Sequence, residues 1–275
     1  DVAMQLLGNF YEYYLSSENQ KINIVVATSG DTGAAAIDAI KGRKNVNIFV
    51  LHPNNRVSLV QRKLMTTGKY GNVFNIAIKG NFDDCQNLVK SMFSDKNFSD
   101  EIKMSGVNSI NWARIIAQSV YYFYSYFLVK NEYQTINFSV PTGNFGDVYA
   151  GYLAKKMGLP INKLIVATNQ NDILHRAISR GSYEAEKVSE TISPSMDIQI
   201  ASNFERLIYD LNNENDSQTS LDMKNIKENG KYTINDEKLN KIKENFLSAR
   251  MNENETLEII SSVYEKFNVV LDPHT

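Results

Sequence analysis

The residues in this chain whose types and spacing most clearly allow chemistry are Pro141-Thr142-Gly143-Asn144-Phe145-Gly146-Asp147. They follow a short apolar run, Ile136 to Val140, that reads as a strand. They lead into a pattern that reads as a helix from about Val148. Gly143 and Gly146 flank Asn144 and Phe145, and two glycines at a strand-to-helix turn let successive backbone N–H groups converge on a large anion. The helix behind them adds its unsatisfied N–H groups and the positive end of its dipole. The stretch therefore reads as a phosphate cradle. It contains no basic side chain and must work through backbone donors. An ordinary βα turn is the competing reading. No Gly-Lys-Ser/Thr follows, so it is not a P-loop, and no third glycine makes a dinucleotide fingerprint. A β-branched residue at Gly143 or Gly146 is expected to weaken ligand binding before it unfolds the chain, through strain at positive φ and crowding of the phosphate.

A second polar turn, Ser29-Gly30-Asp31-Thr32-Gly33, follows the apolar run Ile22 to Ala27 and precedes the small-residue stretch Ala34-Ala35-Ala36-Ile37. Ser29, Asp31 and Thr32 are good helix-start residues, so capping explains them. A loop that grips a ligand carboxylate or ring hydroxyl explains them as well. Asn169, Asn171 and Asp172 follow a strand read from Leu164 to Thr168, at the carboxyl end where open α/β sheets bind ligands. Arg114 falls one turn into a helix and can pair with an anion or with a surface carboxylate.

These turns are held by a regular alternation. Strands are expected at Lys21–Thr28, Val46–Leu51 and Val73–Ile78, with helices over 2–16, 58–65 and 83–93. Asn108-Ser109-Ile110-Asn111-Trp112 opens a long aromatic helix through Ile116, Val120, Phe123 and Phe127. Strands alternating with helices imply right-handed βαβ units, a mostly parallel sheet and an α/β fold. From Asn212 to Asn235 the composition turns polar and reads as a surface insertion with one weak helix. Residues 236–266 read as two amphipathic helices, the first through Leu239, Ile242, Phe246 and Leu247. Val269 to Leu271 resembles a strand.

The 275 residues allow one large or two modest domains. A formal net charge of −2 and 43% hydrophobic residues favour neither a nucleic-acid partner nor a membrane surface. One cysteine, Cys85, permits no internal disulfide and fits a reducing compartment, so a cytoplasmic location is expected. His52, His175 and His274 are widely separated, and no metal site is expected. Asp1 begins within a helical pattern, and the chain reads as a fragment.

Five stretches together resemble the threonine synthase family of fold-type II pyridoxal-phosphate enzymes. They are Ala27 to Gly33, Asn108 to Asn111, Pro141 to Asp147, Ala167 to Asn169 with Asn171-Asp172, and Ser195 to Ile198 with Ser202 to Arg206. The resemblance implies a two-lobed α/β fold like that of the tryptophan synthase β chain. The expected lobes are 1–133, carrying the Ser29–Gly33 loop, and 134–275, carrying the phosphate loop. It implies a lyase that turns O-phosphohomoserine and water into threonine and phosphate.

By the same resemblance Gly143, Asn144, Phe145, Gly146 and Asp147 hold the phosphate of pyridoxal 5'-phosphate. Asp31 lies where related enzymes place an asparagine against the ring hydroxyl, although an ionised Asp there would repel a phenolate. Ser29 and Thr32 are expected at the substrate carboxylate, and Ser109, Asn111 and Arg114 at the substrate phosphate. The family's Schiff-base lysine lies in a Phe-Lys-Asp sequence. Asp1 matches that Asp, so the lysine is expected immediately before it. No catalytic residue is expected within 1–275, and the chain alone is expected to be inactive. A threonine/serine dehydratase, a phospho-lyase on another amine and an inactive binding relative are the alternatives. Oligomeric state is left open.

Overall fold

A computed structural model describes residues 2–28, 30–55 and 57–275. The chain divides into two compact units, one ending at Ala117 and the other running from Gln118 to Thr275. In the first unit the order is α1 (Val2–Ser17), β1 (Ile22–Ala27), α2 (Asp31–Ile40), β2 (Val46–Pro53), α3 (Leu59–Thr66), β3 (Val73–Ile78), α4 (Phe82–Ser94), α5 (Lys96–Glu101) and β4 (Met104–Ser105). Helix α6 (Trp112–Val129) begins in it. The strands form one sheet in the order β3-β2-β1-β4, and every pair is parallel.

The alternation within β1 explains why helices cover both faces of this sheet. Ile24 and Val26 join Met4, Leu7, Ile37, Ile40 and Met65 in one core cluster, drawn from α1, α2 and α3. Val25 points the other way and joins Leu51, Cys85 and Val89 of α4. A parallel strand buried on both faces reads as a continuous apolar run, which is what Ile22 to Ala27 shows.

The second unit continues with β5 (Ile136–Pro141), α7 (Gly146–Lys156), β6 (Ile161–Thr168), α8 (Ile173–Arg180), β7 (Ser182–Glu184), a 3₁₀ turn at Pro194–Met196 and α9 (Phe204–Leu211). It ends with α10 (Asp216–Asn229), β8 (Lys231–Thr233), α11 (Asp236–Asn245), β9 (Phe246–Arg250) and α12 (Glu253–Phe267). Strands β5, β6 and β9 form a parallel sheet in that order, and β7 pairs with β8 antiparallel. The register between β5 and β6 shifts between the pairs Ile136↔Ile161 and Phe138↔Leu164, so β6 carries one extra residue there. The Asn137 side-chain oxygen bridges the irregularity, accepting from Lys163 N and Asn162 Nδ2, each at 3.0 Å.

Three expectations are corrected. Phe246 and Leu247 do not extend an amphipathic helix; α11 ends at Asn245, and Phe246 at φ −119° opens β9 against β6. Val269 to Leu271 forms no strand. The polar stretch 212–235 carries its one helix, α10, but it is more than a surface insertion, since β8 pairs with β7 and Asn212, Thr219 and Asp222 are buried. Asn212 Nδ2 donates to Thr219 Oγ1 and Asp222 Oδ2, both at 3.0 Å, while Lys238 Nζ donates to Asn212 Oδ1 at 2.6 Å. The polar composition of the stretch hides this, because Asn212, Thr219 and Asp222 are buried along with Ile226 and Ile234.

Candidate functional site

The cradle begins where β5 stops. Thr142 is buried; its N–H donates to Ala167 O at 2.8 Å and its hydroxyl to Val140 O at 2.6 Å. That keys the turn to β6. Asn144 O accepts both Asn203 N and Asn203 Nδ2 at 3.1 Å, and Ser202 Oγ reaches Asn144 Oδ1 at 3.2 Å. Phe145 follows at φ 63°, ψ 9°, the left-handed region, and α7 starts at Gly146. The ring of Phe145 is fully buried, edge-on to Phe204 at 5.3 Å and tilted against Phe246 at 5.7 Å.

This arrangement corrects the expected role of the glycines. Neither Gly143 nor Gly146 lies at positive φ; the left-handed residue is Phe145. A left-handed position costs an L-residue about 1–2 kcal/mol, and burial of the aromatic ring offsets it. Gly143 is required for close approach instead: a Cβ there would stand 2.8 Å from Ser195 O and 3.3 Å from Met196 Cα. The carbonyl of Asn144 is turned into the protein, toward Asn203. Among the described residues, no protein acceptor takes the N–H groups of Gly143, Asn144, Phe145 or Gly146. Four consecutive donors at a helix start, with a left-handed residue among them, fit a phosphate group. Asp147 stands in the first turn of α7, and Tyr122 OH donates to its carbonyl at 2.8 Å.

The first polar turn is built differently. Ser29 lies outside the described residues. Helix α2 starts at Asp31 with Gly30 at φ 146° as N-cap and no side-chain cap, so neither Asp31 nor Thr32 acts as the cap. Thr28 does that work from the end of β1: its buried Oγ1 accepts from Gly30 N and Gly33 N, both at 2.9 Å. Gln61 Nε2 of α3 donates to Asp31 Oδ1. The sequence marks Thr28 only as a strand end and a member of the stretch Ala27 to Gly33, and gives Gln61 no role. A threonine at a strand end two residues before a glycine is the signal for Thr28; Gln61 offers none, because its contact joins residues thirty positions apart.

Asn111 precedes α6 as its cap: its Oδ1 accepts from Arg114 N at 3.3 Å, and its Nδ2 donates to Gly106 O at 2.8 Å. Ser109 and Arg114 are both half-buried.

The polar cluster after β6 is hydrogen-bonded within the chain. Asn169 Nδ2 lies 2.8–2.9 Å from three acceptors, Thr191 Oγ1, Ser193 Oγ and Asp197 Oδ1, among which its two hydrogens are shared. Asn171 Nδ2 donates to Ser189 O and Asp197 Oδ1 at 2.9 Å. Asp172 holds Arg176 at 2.8 Å and Arg250 at 3.1 Å. These groups fasten the segment 186–199 against the sheet.

Residues 3–239 match the family described as pyridoxal-phosphate dependent enzyme. The chain belongs to that family. Among relatives in the pyridoxal-phosphate dependent enzyme family, a threonine synthase of Pseudomonas aeruginosa is 47% identical over 275 residues, which is 100% of this chain and 59% of the relative. A crystal structure of PLP-bound threonine synthase from Brucella melitensis aligns with a TM-score of 0.93 and 51% identity, over 100% of this chain and 59% of that one. Threonine synthase from yeast aligns with a TM-score of 0.91 and 44% identity, covering 58% of its chain. The chain thus spans somewhat under three fifths of the length of these three proteins. The α/β architecture with mostly parallel sheets, expected from the resemblance, is that of the fold-type II enzymes.

Proposed function

We propose that this protein is a threonine synthase, converting O-phosphohomoserine and water to threonine and phosphate. The likeness to PLP-bound threonine synthase over the whole of this chain, at 51% identity, is the observation that carries the reading. The cradle supports it independently, since its donors fit the phosphate of pyridoxal phosphate. Gly143, Asn144, Phe145 and Gly146 hold that phosphate through backbone N–H groups. Asp147 contributes through its place in the helix start, because its carboxylate would repel a phosphate. Once bound, pyridoxal phosphate supplies the electron sink that lets protons leave the substrate's α and β carbons and phosphate leave its γ carbon.

Asp31, steadied by Gln61, is assigned to the cofactor ring, with Ser29 and Thr32 at the substrate carboxylate. Ser109 and Arg114 are assigned to the substrate phosphate, while Asn111 fixes the helix start from which Arg114 extends. A cytoplasmic setting belongs to the same proposal and rests on the single cysteine.

The test is direct. The polypeptide at its natural length, loaded with pyridoxal phosphate and given O-phosphohomoserine, is expected to form threonine and phosphate in equal amounts. Phosphate without threonine would assign a phospho-lyase, and consumption of threonine a dehydratase. Inertness toward both would leave a binding protein.

A further inference from the structure

The turn Pro194–Met196 bears directly on the cradle, because Ser195 O and Met196 Cα press on Gly143. One side of this turn is pinned by the Asn169–Thr191–Asp197 hydrogen bonds. Its other side borders a cavity of about 80 Å³, lined by Pro141, Thr168, Ser193, Met196, Ile260 and His274 among others. The C-terminal segment 271–275 lines the same cavity. From that segment His274 touches the turn, its Nε2 lying 3.3 Å from Ser195 N.

The chemistry of that contact fixes the imidazole. A backbone N–H only donates, so Nε2 is the acceptor and carries no proton. The ring proton then sits on Nδ1, which faces Asp272 Oδ1 at 2.7 Å. The same Oδ1 accepts His274 N at 2.8 Å, and Thr275 N closes the turn on Asp272 O at 2.9 Å. One carboxylate oxygen thus holds both the backbone and the ring of His274, in the way an aspartate organises the residues after it. The backbone hydrogen bond from His274, ahead of the ring contact, draws the Asp272 carboxyl below its ordinary value.

We infer that Asp272 and His274 form a strap that positions the 194–196 turn against Gly143, and that His274 is a positioning residue for phosphate binding in the cradle. The inference rests on the reading of Gly143–Gly146 as the cofactor-phosphate site. His274 touches no ligand in this role. It acts through Ser195, whose N–H it holds and whose carbonyl limits where Gly143 can lie.

Two measurements on the full chain test this. With three histidines in the sequence, ¹⁵N-labelled imidazoles resolve by nuclear magnetic resonance. His274 is expected as the neutral Nδ1–H tautomer; an Nε2–H signal for His274 overturns the strap. Calorimetric titration with pyridoxal phosphate, and separately with inorganic phosphate, reads the cradle. His274→Phe keeps a ring but loses the acceptor, and is expected to weaken both ligands about fivefold, the share of one ordinary hydrogen bond. His274→Gln retains an acceptor and a donor and should recover part of that loss. Asp272→Asn, which keeps the turn but weakens its hold on the ring, should fall between. Wild-type affinity in His274→Phe and Asp272→Asn, with Gly143→Val unable to bind, overturns the strap and leaves the cradle standing. No binding by the wild type, or equal binding by Gly143→Val, sinks the cradle reading and the strap with it. If His274→Phe does not fold, the tautomer and Asp272→Asn still decide.

Discussion

Gly143 and Ser195 approach so closely that a Cβ on the glycine would stand 2.8 Å from the serine carbonyl oxygen. Backbone faces backbone here, and no flexible side chain can swing aside. Gly143→Ala should lower stability by about 1–3 kcal/mol, as over-packing does in well-filled sites. Urea unfolding measures it. A variant as stable as the wild type would mean that the 194–196 turn gives way freely.

Phe145 separates two contributions that usually travel together. Phe145→Ala loses a fully buried ring and should cost about 3–5 kcal/mol. Phe145→Gly loses the same ring but relieves the left-handed backbone, and should be about 1 kcal/mol less harmful. If glycine proves as damaging as alanine, the φ of 63° is not a source of strain.

Asp197 gathers four donors: Asn169 Nδ2, Asn171 Nδ2 and Thr191 Oγ1 on Oδ1, and Thr191 N on Oδ2. Removing it in Asp197→Ala leaves partly buried donors unmatched, and a loss of about 3 kcal/mol or more is expected. Amide exchange over 189–197 should quicken with it. Unchanged exchange in that segment would count against the network as its fastener.

Thr28→Val removes the oxygen that receives Gly30 N and Gly33 N while keeping the shape of the side chain. A loss of about 1–3 kcal/mol is expected for the donors left buried. Serine at the same place should retain most of the stability, which thermal melting of the pair would reveal.

Alkali should act on the second unit. Tyr122, Tyr149, Tyr152, Tyr183 and Tyr232 all lie in it, and burial raises the pKa of each hydroxyl. That of Tyr183 is pushed up from 10.0 to about 12. A raised value means the fold favours the neutral phenol, so this stabilisation is complete below pH 10.0 and drains away between there and about 12. Tyrosinate absorbance and circular dichroism, followed together, should change in one transition. Tyrosines that ionise at their ordinary value with the fold intact would refute this.

How far the sequence foretells this structure depends on the range of the deciding contact. Strand β3 stands at Val73–Ile78 as read, because an apolar run bounded by Gly71-Asn72 and Gly80 is local information. Strand β9 was misread because Phe246 lies four residues after Ile242, a helical spacing, and no Gly or Pro marks the end of α11. Its pairing with β6, about eighty residues earlier, decides the matter. In the cradle, Pro141 and the two glycines announce the turn. The left-handed residue is Phe145, however, and only Phe204 and Phe246 explain why it is tolerated there. The asparagines after β6 looked free because Ser189, Thr191 and Asp197 reach them from elsewhere in the chain.

The extra residue in β6 sets a rule for insertions and deletions. Beyond it, Leu164, Val166 and Thr168 face inward as far as the Pro141↔Ala167 pair. Deleting one residue between Ile161 and Leu164 would remove the irregularity and leave both on the inward face, since residues two apart on a strand share a face. Beyond Leu164 the pairing is regular, so a deletion or insertion between Leu164 and Ala167 would turn the residues after it to the opposite face and carry Ala167 O away from Thr142 N, the bond that starts the cradle. Length variation is therefore absorbed at the irregularity and barred beyond it.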